Sequence, residues 1–169
     1  MKIVLVIIAS VVALIVLAAI VALGVGSRLP IHHEVSRSVV LQAQPAEVYR
    51  VITDLEEAPR WRPGLQRIEV LHDANGRRRY REHGKDGAVT YEIVAAQPAR
   101  TLITQIIDPD LGYSGSWTYS LAPHDAGTLL TITEKGEVTN VFFRFMSRYV
   151  FGHATTIETY LKALADRVG

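Results

Sequence analysis

The chain has 169 residues, a net charge of +1, 49% hydrophobic residues and 21% charged ones. This near-neutral balance excludes recruitment of nucleic acid by bulk attraction. The absence of cysteine excludes a disulfide scaffold, a thiol nucleophile and a thiolate metal site. The apolar residues are unevenly spread: Ile3 to Val25 carries no charge and one polar side chain, Ser10. At 1.5 Å per residue this run reaches about 34 Å, against roughly 30 Å of bilayer hydrocarbon. Signal-peptide cores run about 7–15 residues, so this longer run is read as an uncleaved transmembrane signal anchor over residues 1–27. Residues 28–33 follow as a linker and residues 34–169 as one domain. The positive-inside rule has little to count here, and the signal-anchor form places the domain outside the cytoplasm.

Glu34 to Ala43 alternates as a strand. Gln44-Pro45-Ala46-Glu47 opens a helix, with proline in its first turn and Val48, Val51, Ile52 and Leu55 on one face. Pro59 and Pro63 break helical structure around Trp61. Strands follow at 65–72, 77–83, 88–96, 101–107, 115–121 and 128–138, with turns at Asp73–Gly76 and Lys85–Gly87. The run Arg77-Arg78-Arg79 with Arg81 reads as a solvated hairpin edge. From Asn140 to Val168 the apolar residues recur at helical spacing, Asn140 is a candidate cap, and one long helix is expected, bent near Gly152 and His153. The order predicts an α+β fold: a curved antiparallel sheet of about seven strands gripping a long C-terminal helix, with one transmembrane helix before it.

The segment from Gln44 to Asp54, followed by Trp61-Arg62-Pro63, resembles the START-like or SRPBCC superfamily, in particular its polyketide cyclase/dehydrase and lipid-transport group. Gly115 to Leu121 is similar to that family's penultimate strand, and the resemblance covers about residues 34–167. It implies a helix-grip fold with a cavity for an apolar small molecule. It implies no single chemistry, because members share a cup and not a catalytic motif.

Alternation along the strands turns Tyr80, Glu82, Tyr91, Trp117 and Tyr119 toward that cup, and the C-terminal helix adds Phe142, Phe145, Met146 and Tyr149. Trp61 of the Trp-x-Pro segment completes the candidate ligand-binding set. The expected ligand is a lipid, isoprenoid, quinone or polyketide-like molecule, and the expected partners are that ligand and the membrane. Glu82 and Glu134, with Tyr80 or Tyr91 as hydroxyl donors, are the acid/base groups of an alternative reading as a cyclase or dehydratase. A second alternative is an envelope domain with a filled core that binds a protein partner. Binding is preferred over catalysis, and no catalytic residue is assigned. The six histidines show no zinc spacing and no phosphate loop is present, so neither a metal nor a cofactor is expected.

Overall fold

A computed structural model describes residues 2–74, 76–85, 87–152 and 154–169, with only the backbone of Ala74 and Phe151. The expectations at Asn75, Asp86 and His153 lie outside the described residues. Helix α1 (Lys2–Arg28) leads into β1 (His32–Leu41), then α2 (Pro45–Thr53) and the single turn α3 (Ala58–Trp61). Six strands follow: β2 (Leu65–Ala74), β3 (Arg77–Gly84), β4 (Gly87–Gln97), β5 (Thr101–Ile106), β6 (Tyr113–His124) and β7 (Gly127–Val138). The chain closes with α4 (Val141–Met146), a π-helical turn (Ser147–Phe151) and α5 (Thr155–Val168).

The seven strands form one antiparallel sheet in the order β1-β7-β6-β5-β4-β3-β2. The first strand pairs with the last along its whole length, and the others meet their sequence neighbours as hairpins. The outcome is the helix-grip fold expected from the sequence. β1 starts at His32, inside the stretch read as linker, because His33 finds Gly136 opposite it and lays its ring over that bare backbone.

The expected single helix after Asn140 is divided. The Asn140 side chain accepts from the Phe143 amide at 3.0 Å and caps α4. The helix then widens into the π turn and stops at Gly152, whose φ of 72° lies in the left-handed region that glycine adopts most readily. α5 restarts at Thr155, and its stripe Ile157, Tyr160, Leu161 and Leu164 packs on the concave face of the sheet. There it meets Leu41, Val48, Ile52, Leu102, Leu121, Leu130 and Ile132.

On the convex face Glu92 is the exception to the solvated edge expected for the arginine run. It is buried, and both Arg77 (2.8 Å) and Arg79 (2.8 Å) bind its carboxylate. These bonds, Arg77's first, hold the Glu92 carboxyl below its ordinary value.

α1 is long and apolar enough to cross a membrane, and most of its surface is bare. Its last turns are the exception. Ala22 and Gly26 are buried, and a Cβ on Gly26 would overlap the Val141 carbonyl of α4. Arg144 of α4 donates to the Leu29 carbonyl at 3.0 Å, just past the C-terminus of α1.

Candidate ligand-binding site

α5 covers only part of the concave face. Beyond Thr155 α5 no longer lies on the sheet, and a cavity of about 470 Å³ remains, with Phe143 of α4 and Ser147 of the π turn in its wall. The sequence shapes this space in two ways. Gly115 and Gly136 are cross-strand partners at the cavity end of β6 and β7, and the His33 ring lies over Gly136. The break at Gly152 then carries the chain away from the sheet, and Phe143, Ser147 and Gly152 border the opening.

Five of the ten residues selected from the sequence line this cavity: Tyr80, Glu82, Tyr91, Trp117 and Tyr119. Trp61 stands behind the wall, with its ring edge-on to Tyr160 at 5.2 Å. Phe142, Phe145, Met146 and Tyr149 are not in the lining; Phe143 and Ser147 stand there instead. Residues four apart share a helix face, so the Phe143–Ser147 stripe looks inward. Phe142 and Tyr149 are exposed, and Phe145 packs against Tyr149 at 5.2 Å. Aromatic residues surround α4 on all sides, so periodicity could not select its inner face.

Two ion pairs sit in the wall. Arg62 forks onto Glu82, with Nη2 donating to Oε2 at 2.8 Å and Nη1 to Oε1. Burial works to lower the Arg62 pKa, but the charge and hydrogen bonds of Glu82 outweigh it, and the guanidinium is held above its ordinary value. The same guanidinium lies 5.3 Å from the centre of the Tyr160 ring. Across the cavity, Glu134 receives Trp117 Nε1 at 2.8 Å and has His33 Nε2 at 3.0 Å from its other oxygen. Glu82 and Glu134 therefore belong to separate pairs rather than to one acid/base couple.

Sequence reasoning missed Arg62, His33 and Tyr160. A signal for Arg62 existed: a carboxylate facing an apolar cup demands a cation, and an arginine sits inside the Trp-x-Pro segment. No local signal marks His33, whose position depends on a glycine more than 100 residues away.

The remaining polar groups of the described lining are hydroxyls: the phenols of Tyr80, Tyr91, Tyr113 and Tyr119, and those of Thr104, Ser114, Ser116, Ser147 and Thr156. Tyr80 and Tyr91 stack at 5.4 Å, and Tyr119 is hydrogen-bonded to Tyr160. Burial is the first cause that raises the pKa values of Tyr80, Tyr91, Tyr119 and Tyr160, pushing Tyr160 up to about 12. All four stay protonated at neutral pH. Among the described residues no group of His, Asp or Glu is arranged to hold a metal ion.

A curved sheet gripping a C-terminal helix, with a tyrosine-rich hollow between them, defines a small-molecule-binding cup. Residues 32–169 match the family described as polyketide cyclase/dehydrase and lipid transport, and the chain belongs to that family. No functionally curated protein matches it significantly. Solved structures with the same fold include the Zhui aromatase/cyclase from Streptomyces sp. R1128, at 18% identity and a TM-score of 0.67, covering 81% of this chain and 93% of that one. Norcoclaurine synthase from Thalictrum flavum superposes at 12% identity and a TM-score of 0.64, covering 82% of this chain and 87% of that one. The di-domain ARO/CYC StfQ of the steffimycin biosynthetic pathway superposes at 14% identity and a TM-score of 0.63, covering 82% of this chain. This chain spans only 51% of StfQ, about half of its length.

Proposed function

We propose that this protein is a membrane-anchored binding domain that holds one uncharged, largely apolar molecule bearing carbonyl or hydroxyl groups. The observation that carries the reading is the balance of the cavity. Its described lining contains two carboxylates and one guanidinium, and that guanidinium is already forked onto Glu82. With Arg62 held by Glu82 and His33 paired with Glu134, each described basic group of the lining already has a carboxylate partner, which disfavours a ligand with a carboxylate or phosphate headgroup. Protonated phenols suit a neutral ligand oxygen, and about 470 Å³ is within the range of small-molecule pockets. Polyketide-like, quinone and isoprenoid molecules meet these terms. In this reading α1 crosses the bilayer as an uncleaved anchor and the cup stands on the extracytoplasmic side.

The experiment is native mass spectrometry with organic extraction on the full chain purified from its own membrane. A defined neutral molecule near one per chain supports the reading. An empty protein that also fails to bind the neutral probe Nile red overturns it and favours a filled core that meets a protein partner.

A second reading rests on one observation, the His33–Glu134 pair at the cavity wall. Imidazole beside carboxylate is an arrangement that moves protons, as a cyclase or dehydratase requires. Turnover of a polyketide-type substrate that is abolished in Glu134→Gln, with ligand binding retained, would select this reading over simple binding.

A further inference from the structure

We propose that α4 and the π turn after it lie in the bilayer interface, so that the cavity opens toward the lipid and exchanges its ligand with the membrane directly. The inference rests on the anchor reading above and adds the position of one segment to it. Four observations lead there.

The first is depth. About 20 helical residues cross the hydrocarbon, so a span that starts at Ile3 leaves it near Ala22. Gly26 is then about 6 Å further out, within the headgroup layer. Ala22 and Gly26 are the two buried residues of α1, and Gly26 lies against the Val141 backbone of α4. The point where α4 touches α1 is therefore the point where α1 leaves the hydrocarbon.

The second is attachment. Arg144 donates to the Leu29 carbonyl at 3.0 Å and to Thr139 at 3.4 Å. The join has both a backbone approach that only glycine permits and a charged hydrogen bond at a helix C-terminus. α4 is thus held at the depth that α1 sets.

The third is the surface presented there. Phe142, Phe143, Tyr149 and Val150 are 45%, 49%, 59% and 57% exposed. They belong to one short segment, residues 142–150, whereas α2 and α5 each bury an apolar face. Arg148 and Arg28 are exposed beside it. Aromatic and aliphatic side chains flanked by arginine form the composition of an interfacial element.

The fourth ties the surface to the cavity. Phe143 is half exposed and also lines the cavity, together with Ser147 and Gly152. The wall of the opening and the apolar surface are therefore the same short segment. An apolar ligand leaving the cup would pass along Phe143 into lipid without crossing water.

The chain lacks cysteine, so single labels can be placed without altering the background. Val16→Cys, Phe142→Cys, Val150→Cys and Asp125→Cys, each in the full chain, carry an NBD fluorophore in vesicles of phosphatidylcholine and phosphatidylglycerol containing doxyl-labelled lipid. Asp125 is exposed in the β6–β7 turn and reports a position away from the proposed surface. The expected result is about two-fold quenching at 16, 142 and 150 and none at 125. Quenching at 16 without quenching at 142 and 150 keeps the anchor and overturns this inference. Blue-shifted labels at 142 and 150 that the doxyl lipid does not quench mean that protein covers the face, and also overturn it. Absence of quenching at 16 removes the anchor reading and this inference with it. Functionally, Phe142→Asp combined with Val150→Asp is expected to slow Nile red transfer from vesicles about ten-fold and leave its equilibrium binding in detergent solution unchanged. Equal transfer rates in the variant and the parent overturn the exchange route.

Discussion

The two ends of the concave face are made from the same strands and behave differently. Where α5 lies on the sheet, the inward positions of β7 are Thr128, Leu130 and Ile132, all fully buried. Two residues further along the same strand the inward positions become Glu134 and Gly136, which border the cavity, with the His33 ring over Gly136 where a larger side chain would stand. β6 repeats the change, from Leu121 and Tyr119 through Trp117 to Gly115. Tyr160 stands at the boundary, with its ring against Trp61, Trp117, Tyr119 and the Arg62 guanidinium. One half holds the fold together and the other borders the cavity, its carboxylates paired with Arg62 and His33. A strand can change role along its length with no break in its hydrogen bonding.

If that division holds, damage to the packed half destabilises the protein and leaves ligand affinity of the folded fraction intact. Leu130→Ala is expected to lower unfolding free energy by about 3 kcal/mol, measured by urea titration. A loss below about 1 kcal/mol would show that α5 does not pack as described. At the boundary, Arg62→Met strands the Glu82 carboxylate. Removal of one partner from a fully buried pair costs about 3–5 kcal/mol, and partial exposure of this one, 23% and 14%, reduces the expectation to about 2 kcal/mol. Adding Glu82→Gln should recover most of that loss in a double-mutant cycle, while Nile red affinity stays reduced.

In the hollow half the signs reverse. Thr104, itself buried, borders the cavity opposite Trp117, and Thr104→Leu adds volume on the cavity side. Stability should change by less than about 0.5 kcal/mol, while Nile red affinity falls about ten-fold, or 1.4 kcal/mol. A large stability loss without a loss of affinity would place Thr104 in the packed half. Glu92 on the convex face belongs to neither half and serves as the control. Its folded pKa is depressed, so its contribution is present above the ordinary value of 4.5 and is lost as pH falls through the lower folded value. Glu92→Gln should therefore flatten the acid limb of stability below pH 4.5 and leave Nile red binding at neutral pH unchanged.

The packed half was largely legible in the sequence and the hollow half was not. Period-two alternation placed the strands, and the Ile157–Leu164 stripe identified α5, because burial in these regions follows local pattern. Tyr80, Tyr91, Trp117 and Tyr119 were found the same way. The other features of the cup depend on relations that local pattern does not carry. Arg62 meets Glu82 from a loop 20 residues away. His33 enters the sheet because Gly136 is opposite, and the inner face of α4 is decided by its contact with α1. Those contacts join distant parts of the chain.

The pairing of the first strand with the last sets a timetable for biosynthesis. Ser36 in β1 and Thr133 in β7 share a hydrogen bond across 97 residues of chain. At about 5–20 residues per second, the ribosome needs on the order of ten seconds to make the intervening segment. During that interval β1 has emerged behind α1 and has no partner along either edge. Glu34 and Arg37 keep the waiting strand solvated and hinder it from pairing with a neighbouring chain. The cup does not exist until residues beyond Ile157 have been made, so a ligand of the kind proposed above would enter only after synthesis.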